Sequence, residues 1–200
     1  MEINEIKLFG KYDFNVKVED PGLKSSINLE PVYMPQSYGR HAGARFAKSD
    51  VNLVERFINK LMSPGHKGKK HWRTSEFCSG KFQTAYKIAK ETFEIIENKT
   101  KQNPIEVLVR AVENSAPRDE VTVIELGGIR VPKQVDASPQ RRVDISLRWL
   151  TQGAFQSTAN KKTSMEEGLA REIIAASKED PKSFAVSKKI DVERQAAASR

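Results

Sequence analysis

Residues 103–150 read NPIEVLVRAVENSAPRDEVTVIELGGIRVPKQVDASPQRRVDISLRWL, and the hydrophobic period changes twice along them. Asn103-Pro104 sets a capping side chain before a proline suited to the first helical position. Ile105, Leu108, Val109 and Val112 then fall on one face of a helix that runs to about 115. Beyond it, residues 121–126 and 129–135 form β-branched runs on either side of Gly127-Gly128. Two glycines between such runs predict a tight hairpin, because both central positions of a type I′ turn need φ > 0. Pro132 cannot donate to a ladder, so its strand must have a free edge there. Ser138-Pro139 opens a further helix over 139–156 that begins Gln140-Arg141-Arg142. Val143, Leu147, Leu150 and Ala154 face inward, with Trp149 beside them as a core residue. A hairpin alone is marginal in water, and no other strand is visible in the chain. The stretch therefore reads as a helical body with one projecting β-arm.

Working outward, helical signals dominate. Asp50 is placed to cap a helix over 51–62, whose inner face carries Val51, Val54, Ile58, Leu61 and Met62. Ser63-Pro64-Gly65 ends it, and a basic loop occupies 64–73. A second helix over 75–97 lines up Cys78, Phe82, Ala85, Ala89, Phe93 and Ile96, so Cys78 reads as a small core residue rather than a nucleophile. Ser164 and Glu167 form a capping box for a helix to 177 that buries Leu169, Ile173 and Ala176. Asp180-Pro181 breaks the chain, and Ser183 caps a last helix to about 198. The first 36 residues are irregular, with breakers at Pro21-Gly22, Pro31 and Pro35. The expected fold is mainly α: one domain of about six helices over 37–200, with a protruding β-hairpin arm at about 121–135. An extended N-terminal segment, 1–36, precedes it.

Composition narrows the partners. The 200 residues hold 34 Lys+Arg against 26 Asp+Glu, a net charge of +8. The sequence pI is about 9.5 and the mean hydropathy −0.57. One cysteine excludes an internal disulfide framework and a Cys-rich zinc module. No apolar run approaches a membrane span, and the N-terminus lacks the basic start and apolar centre of a signal peptide, so a soluble cytoplasmic protein is expected. The placement of charge matters more than its total. Residues 1–36 carry −2, whereas 37–100 hold 13 basic against 6 acidic side chains, or +7. Within that block lie two clusters: Arg40, His41, Arg45 and Lys48, and then His66, Lys67, Lys69, Lys70, His71, Trp72 and Arg73. A solvated surface is the plain alternative for either cluster alone. Together they flank one amphipathic helix and point to a single basic face for a polyanion, most often nucleic acid.

Catalytic patterns are missing. His66, His71 and Cys78 have the residue types for zinc but not the spacing, and the surrounding lysines disfavour a cation. No G-x-S-x-G elbow occurs. The run from Gly65 to Lys70 has two residues between its glycines where a Walker loop needs four. Gly65-x-x-Gly68 matches the GXXG loop of KH domains, but the sheet such a domain requires is absent. Glu166-Glu167 sits in a first helical turn, where the helix dipole accounts for it. No catalytic residue, metal site, cofactor or small-molecule substrate is expected.

The assembled order resembles one family. It runs from a basic strand and the helix VERFINKLM (54–62) through a glycine-lysine loop to EIIENKTKQNPIEVLVRAVENSAPR (94–118). The GG hairpin, VDASPQRRVDISLRWL (135–150) and a basic helix ending AAASR (196–200) follow. This is similar to the universal small-subunit ribosomal protein seven, whose eukaryotic member is numbered five in the older scheme. The likeness covers roughly 37–200, and IKLFGKYDF (6–14) resembles the archaeal and eukaryotic N-terminal extension.

The resemblance implies a structural constituent of the small ribosomal subunit that binds the 3′ major domain of its rRNA and organises assembly of the head. It also implies a hairpin near the exit tRNA site and the path of the leaving mRNA, with neighbouring ribosomal proteins as further partners. The implied rRNA-binding residues are Arg40, Arg45 and Lys48 in the strand, Lys67, Lys69, Lys70 and Arg73 in the loop, and Arg130 and Lys133 in the hairpin. Arg141 and Arg142 follow at the fourth helix, and Lys188, Lys189 and Arg194 in the last. Gly127 and Gly128 form the hairpin tip, which is less basic than in many members because it carries Glu125. Tyr38 and Trp72 lie beside basic residues and suit either base stacking or core packing. The segment 1–36 is expected to follow a neighbouring protein or an rRNA groove and to order only on assembly. A free-standing RNA-binding regulator would share these electrostatics.

Overall fold

The computed structural model describes residues 6–65 and 80–199. Two short 3₁₀ turns, Arg40–Gly43 and Ala47–Asp50, precede α1 (Leu53–Leu61), α2 (Phe82–Thr100) and α3 (Pro104–Ser115). Strands β1 (Asp119–Leu126) and β2 (Ile129–Asp136) follow, and then α4 (Pro139–Thr158), α5 (Met165–Ser177) and α6 (Phe184–Ala198). The mainly α domain with one hairpin is therefore as expected. No described helix is long and apolar enough to cross a membrane.

Local chemistry sets the boundaries. Asn103 Oδ1 accepts the Ile105 N–H at 3.1 Å, with Pro104 at the first helical position. Ser183 and Ser164 cap α6 and α5 through the N–H groups of Val186 and Glu167. The cap of α1 is a correction: Asn52, not Asp50, accepts from the Val54 N–H, at 2.9 Å. Asp50 is held in the preceding 3₁₀ turn, where its carbonyl accepts from the Asn28 amide. Ser138 makes no side-chain cap bond to α4, which starts on the fixed φ of Pro139 instead. Helix α2 runs to Thr100 rather than 97 and stops where Lys101 turns left-handed, at φ 57. The expected start of that helix at 75, with Cys78, lies outside the described residues.

The hairpin pairs Val123 with Pro132 and Leu126 with Ile129, closing on Gly127 (φ 57) and Gly128 (φ 84). Both glycines are left-handed, as a type I′ turn demands. No described side chain of either strand belongs to the hydrophobic core, and Val123 and Ile129 are exposed. The arm is anchored at its base, where Glu193 of α6 accepts the Arg118 N–H and the Ser199 carbonyl accepts the Gln134 N–H.

The N-terminal segment departs from expectation. Leu8, Tyr12, Phe14, Leu23 and Ile27 are buried in the same core as Phe57, Phe93, Leu108, Leu147 and Ile173. Each such side chain gains roughly 1.5–3 kcal/mol over an exposed position. Phe9 meets Tyr86 edge-to-face at 5.0 Å, and the Tyr12 hydroxyl donates to Glu97 at 3.0 Å. Glu113 accepts the backbone N–H groups of Glu19 and Asp20. Residues 8–27 are thus a strap across α2, α3 and α4 within the chain's own fold.

Candidate nucleic-acid interface

Helix α4 presents two adjacent arginines in opposite ways. Successive helical residues are about 100° apart, so only one of the pair can share the outer face. Arg141 takes it: its side chain is 60% exposed and makes a bidentate pair with Glu120 at 2.7–3.0 Å. That bond holds the Arg141 guanidinium above its ordinary pKa. Arg142 turns inward, with a side chain 9% exposed. Its Nε donates to the Pro117 carbonyl at 3.1 Å and its Nη2 to Asp20 at 2.7 Å. Burial pushes the Asp20 carboxyl up, but the bonds from Arg142 and the Gly22 N–H win and hold it below the usual carboxylate range. The fit is close, since a Cβ at Gly22 would lie 2.9 Å from Arg142 Nη1.

On the outer face, Arg141, Asp144 and Arg148 are spaced three and four apart and so line one stripe. They meet Arg45 and Phe46 in a groove of about 390 Å³, completed by Ser138, Gln140 and Ile145. At its floor, Asp144 accepts from Lys48 at 2.7 Å and from the buried Arg56 at 3.3 Å. Arg56 also donates to the Ser26 carbonyl at 2.7 Å. Burial raises the Asp144 carboxyl, yet the Lys48 bond and the charges of Lys48, Arg56 and Lys60 together leave it below its ordinary pKa. Lys60 is likewise held below its ordinary pKa, first by burial and then by repulsion from Lys48, with Arg148 and Arg56 adding to it against the pull of Asp144. Three cations, Lys48, Arg56 and Lys60, therefore crowd one carboxylate. A phosphate entering the groove would relieve that crowding.

Phe46 closes the groove on one side. Its ring is 61% exposed, outside the hydrophobic core, and the Arg45 guanidinium lies 4.8 Å from its centroid. The residue is left-handed, at φ 64 and ψ −5, a conformation costing roughly 1–2 kcal/mol for a residue with a Cβ.

The structure thus gathers three of the sequence-derived candidates, Arg45, Lys48 and Arg141. Reasoning from sequence missed Arg56, Lys60, Phe46 and Arg148. For Arg148 a signal was present, because it lies seven residues after Arg141, two helical turns along the same face. Arg40 lies apart, lining a second hollow with Glu55 and Asp50. Arg130 and Lys133 stand exposed on β2. On α6, Lys189 donates to the Asn114 carbonyl at 3.0 Å, while Lys188 and Arg194 pair with Asp191 at 3.7 and 2.9 Å. Tyr38 is exposed and Trp149 packs against the core. Lys67, Lys69, Lys70, Trp72 and Arg73 lie outside the described residues. Among the described residues, no three His, Cys, Asp or Glu side chains are grouped to hold a metal ion.

Residues 23–200 match the family model described as ribosomal protein S7p/S5e. The chain is 51% identical over 197 residues to the small ribosomal subunit protein uS7 of Nanoarchaeum equitans, covering 98% of this chain and all of that one. It is 50% identical, again over 197 residues, to the small ribosomal subunit protein uS7 of Archaeoglobus fulgidus, covering 98% and 96% of the two chains.

Proposed function

Because the chain belongs to the ribosomal protein S7p/S5e family, a structural and not an enzymatic one, we propose that it serves the small ribosomal subunit by binding the 3′ major domain of its rRNA. In that place it organises assembly of the head, beside other small-subunit proteins, with the hairpin directed to the exit tRNA site and the mRNA exit path. The observation that carries this reading is the cationic groove, which Arg45, Arg141 and Arg148 line together with Asp144, while the charges of Lys48, Arg56 and Lys60 act on that one carboxylate.

The mechanism is electrostatic and steric. Side chains from the 3₁₀ turns before α1, from α1 itself and from α4 converge on phosphates where rRNA segments meet. Each neutralised phosphate releases counterions, and the packed helices fix the spacing of the cations so that RNA shape is read more than sequence. Arg141 stays exposed, so a phosphate can reach its guanidinium without that charge being buried. Arg130 and Lys133 give the hairpin a second, separate set of phosphate contacts.

A salt titration tests this. Arg141→Glu and Arg148→Glu should each weaken binding to a 3′ major domain transcript. Each should also lower the salt slope by about 1, because one phosphate is then no longer neutralised. Unchanged affinity and slope in both variants would remove the groove from the interface.

A further inference from the structure

Resting on that reading of the groove, we propose that Phe46 is a stacking platform for one unpaired base of the bound rRNA, with Arg141 and Arg148 taking the phosphates beside it. The ring is exposed, contributes nothing to the core and caps no helix by its side chain. The backbone nevertheless holds it in a left-handed conformation that a bulky residue rarely adopts, and strain of this kind concentrates at binding sites. The ring stands between two hollows. One is the arginine-lined groove; the other, of about 540 Å³, is bounded by Ser25, Ser26, Ala44 and Asp50. Both hollows share Arg45, Phe46, Ser138 and Gln140. Arg45 is placed to stiffen the ring through its guanidinium and to present charge to the incoming strand.

An exposed aromatic face set among cations is what a single strand uses, because every base has a π-face. A continuous duplex keeps its bases paired and has nothing to lay on the ring. The groove therefore favours a looped or bulged nucleotide over a helical segment.

The experiment measures affinity and salt slope of the full chain for the 3′ major domain transcript with Phe46→Trp, Phe46→Leu and Phe46→Ala. Arg141→Glu and Arg148→Glu run alongside, and thermal melts confirm that every variant is folded. Loss of one stacked base predicts that Phe46→Ala weakens binding by about 5- to 150-fold with an unchanged salt slope. Phe46→Leu should fall nearly as far, since it keeps apolar surface but lacks a π-face, and Phe46→Trp should hold or improve affinity. If Phe46→Ala or Phe46→Leu binds as tightly as the native chain while the arginine reversals weaken binding, the platform is overturned and the groove stands. If the arginine reversals also leave binding unchanged, the reading of the groove fails and the platform falls with it.

Discussion

Replacing Arg142 with methionine tests whether this arginine holds the fold together or serves as a phosphate ligand. In the native chain its guanidinium, 9% exposed, ties the N-terminal strap at Asp20 to the loop after α3 at the Pro117 carbonyl. Methionine keeps most of the aliphatic volume but leaves the Asp20 carboxylate and that carbonyl without this donor. Breaking a fully buried pair costs about 3–5 kcal/mol. The Asp20 side chain keeps 19% exposure and the Gly22 N–H, so we expect roughly 2–3 kcal/mol, nearer the value of a charged hydrogen bond. For a chain of this size that lowers Tm by about 5–10 °C. Circular dichroism melts of Arg142→Met, Asp20→Asn and the double variant give the coupling between the two residues. The effect also has a pH sign. Asp20 is held below its ordinary pKa, so the pair's contribution is present above the usual carboxylate range and disappears as pH falls through the depressed value. Arg141→Met, on the exposed face, should cost no more than about 1 kcal/mol while weakening RNA binding. Native-like melting of Arg142→Met, with a reduced salt slope for RNA, would show the guanidinium to be a phosphate ligand and refute the argument.

Two further outcomes follow from the same geometry. Glu172 accepts from the Ser183 hydroxyl at 2.7 Å and the Ala185 N–H at 3.0 Å, yet burial outweighs these bonds and raises its carboxyl above the ordinary 4.5. A raised carboxyl makes the folded state bind its proton more tightly, so stability should fall as pH rises above that value; urea unfolding across pH should show this slope flattened in Glu172→Gln. Removing residues 122–133 should leave one cooperative thermal transition, because no described side chain of either strand joins the core and α6 holds the hairpin at its base.

The elements most legible in the sequence are those fixed by local chemistry. Asn103-Pro104, the two glycines at the hairpin tip and Ser183 each act within a few residues, and each does in the fold what its type suggests. The N-terminal strap is harder to read because its breakers and acidic charge obscure its alternation. Tyr12, Phe14, Val16 and Val18 pack inward, while Lys11, Asp13, Asn15, Lys17 and Glu19 face out. That is the period-2 signature of an extended segment lying on a surface. No partner strand exists for it to pair with among the described residues, so the pattern marks burial against helices instead of a sheet.

The site is less legible, for a reason that a charge count cannot reach. Arg40, Arg45, Lys48, Arg141 and Arg142 look alike in sequence, but their availability depends on distant acids. Lys48 meets Asp144 from 96 positions away, and Arg142 meets Asp20 from 122. A cation that satisfies a carboxylate inside the fold contributes to stability. One that adds to a carboxylate already satisfied, as Lys60 does at Asp144 with Arg148 repelling it, leaves unbalanced positive charge for a ligand. The number of cations per carboxylate in each groove therefore predicts the phosphate contacts, whereas the +7 of residues 37–100 fixes only the sign of the partner.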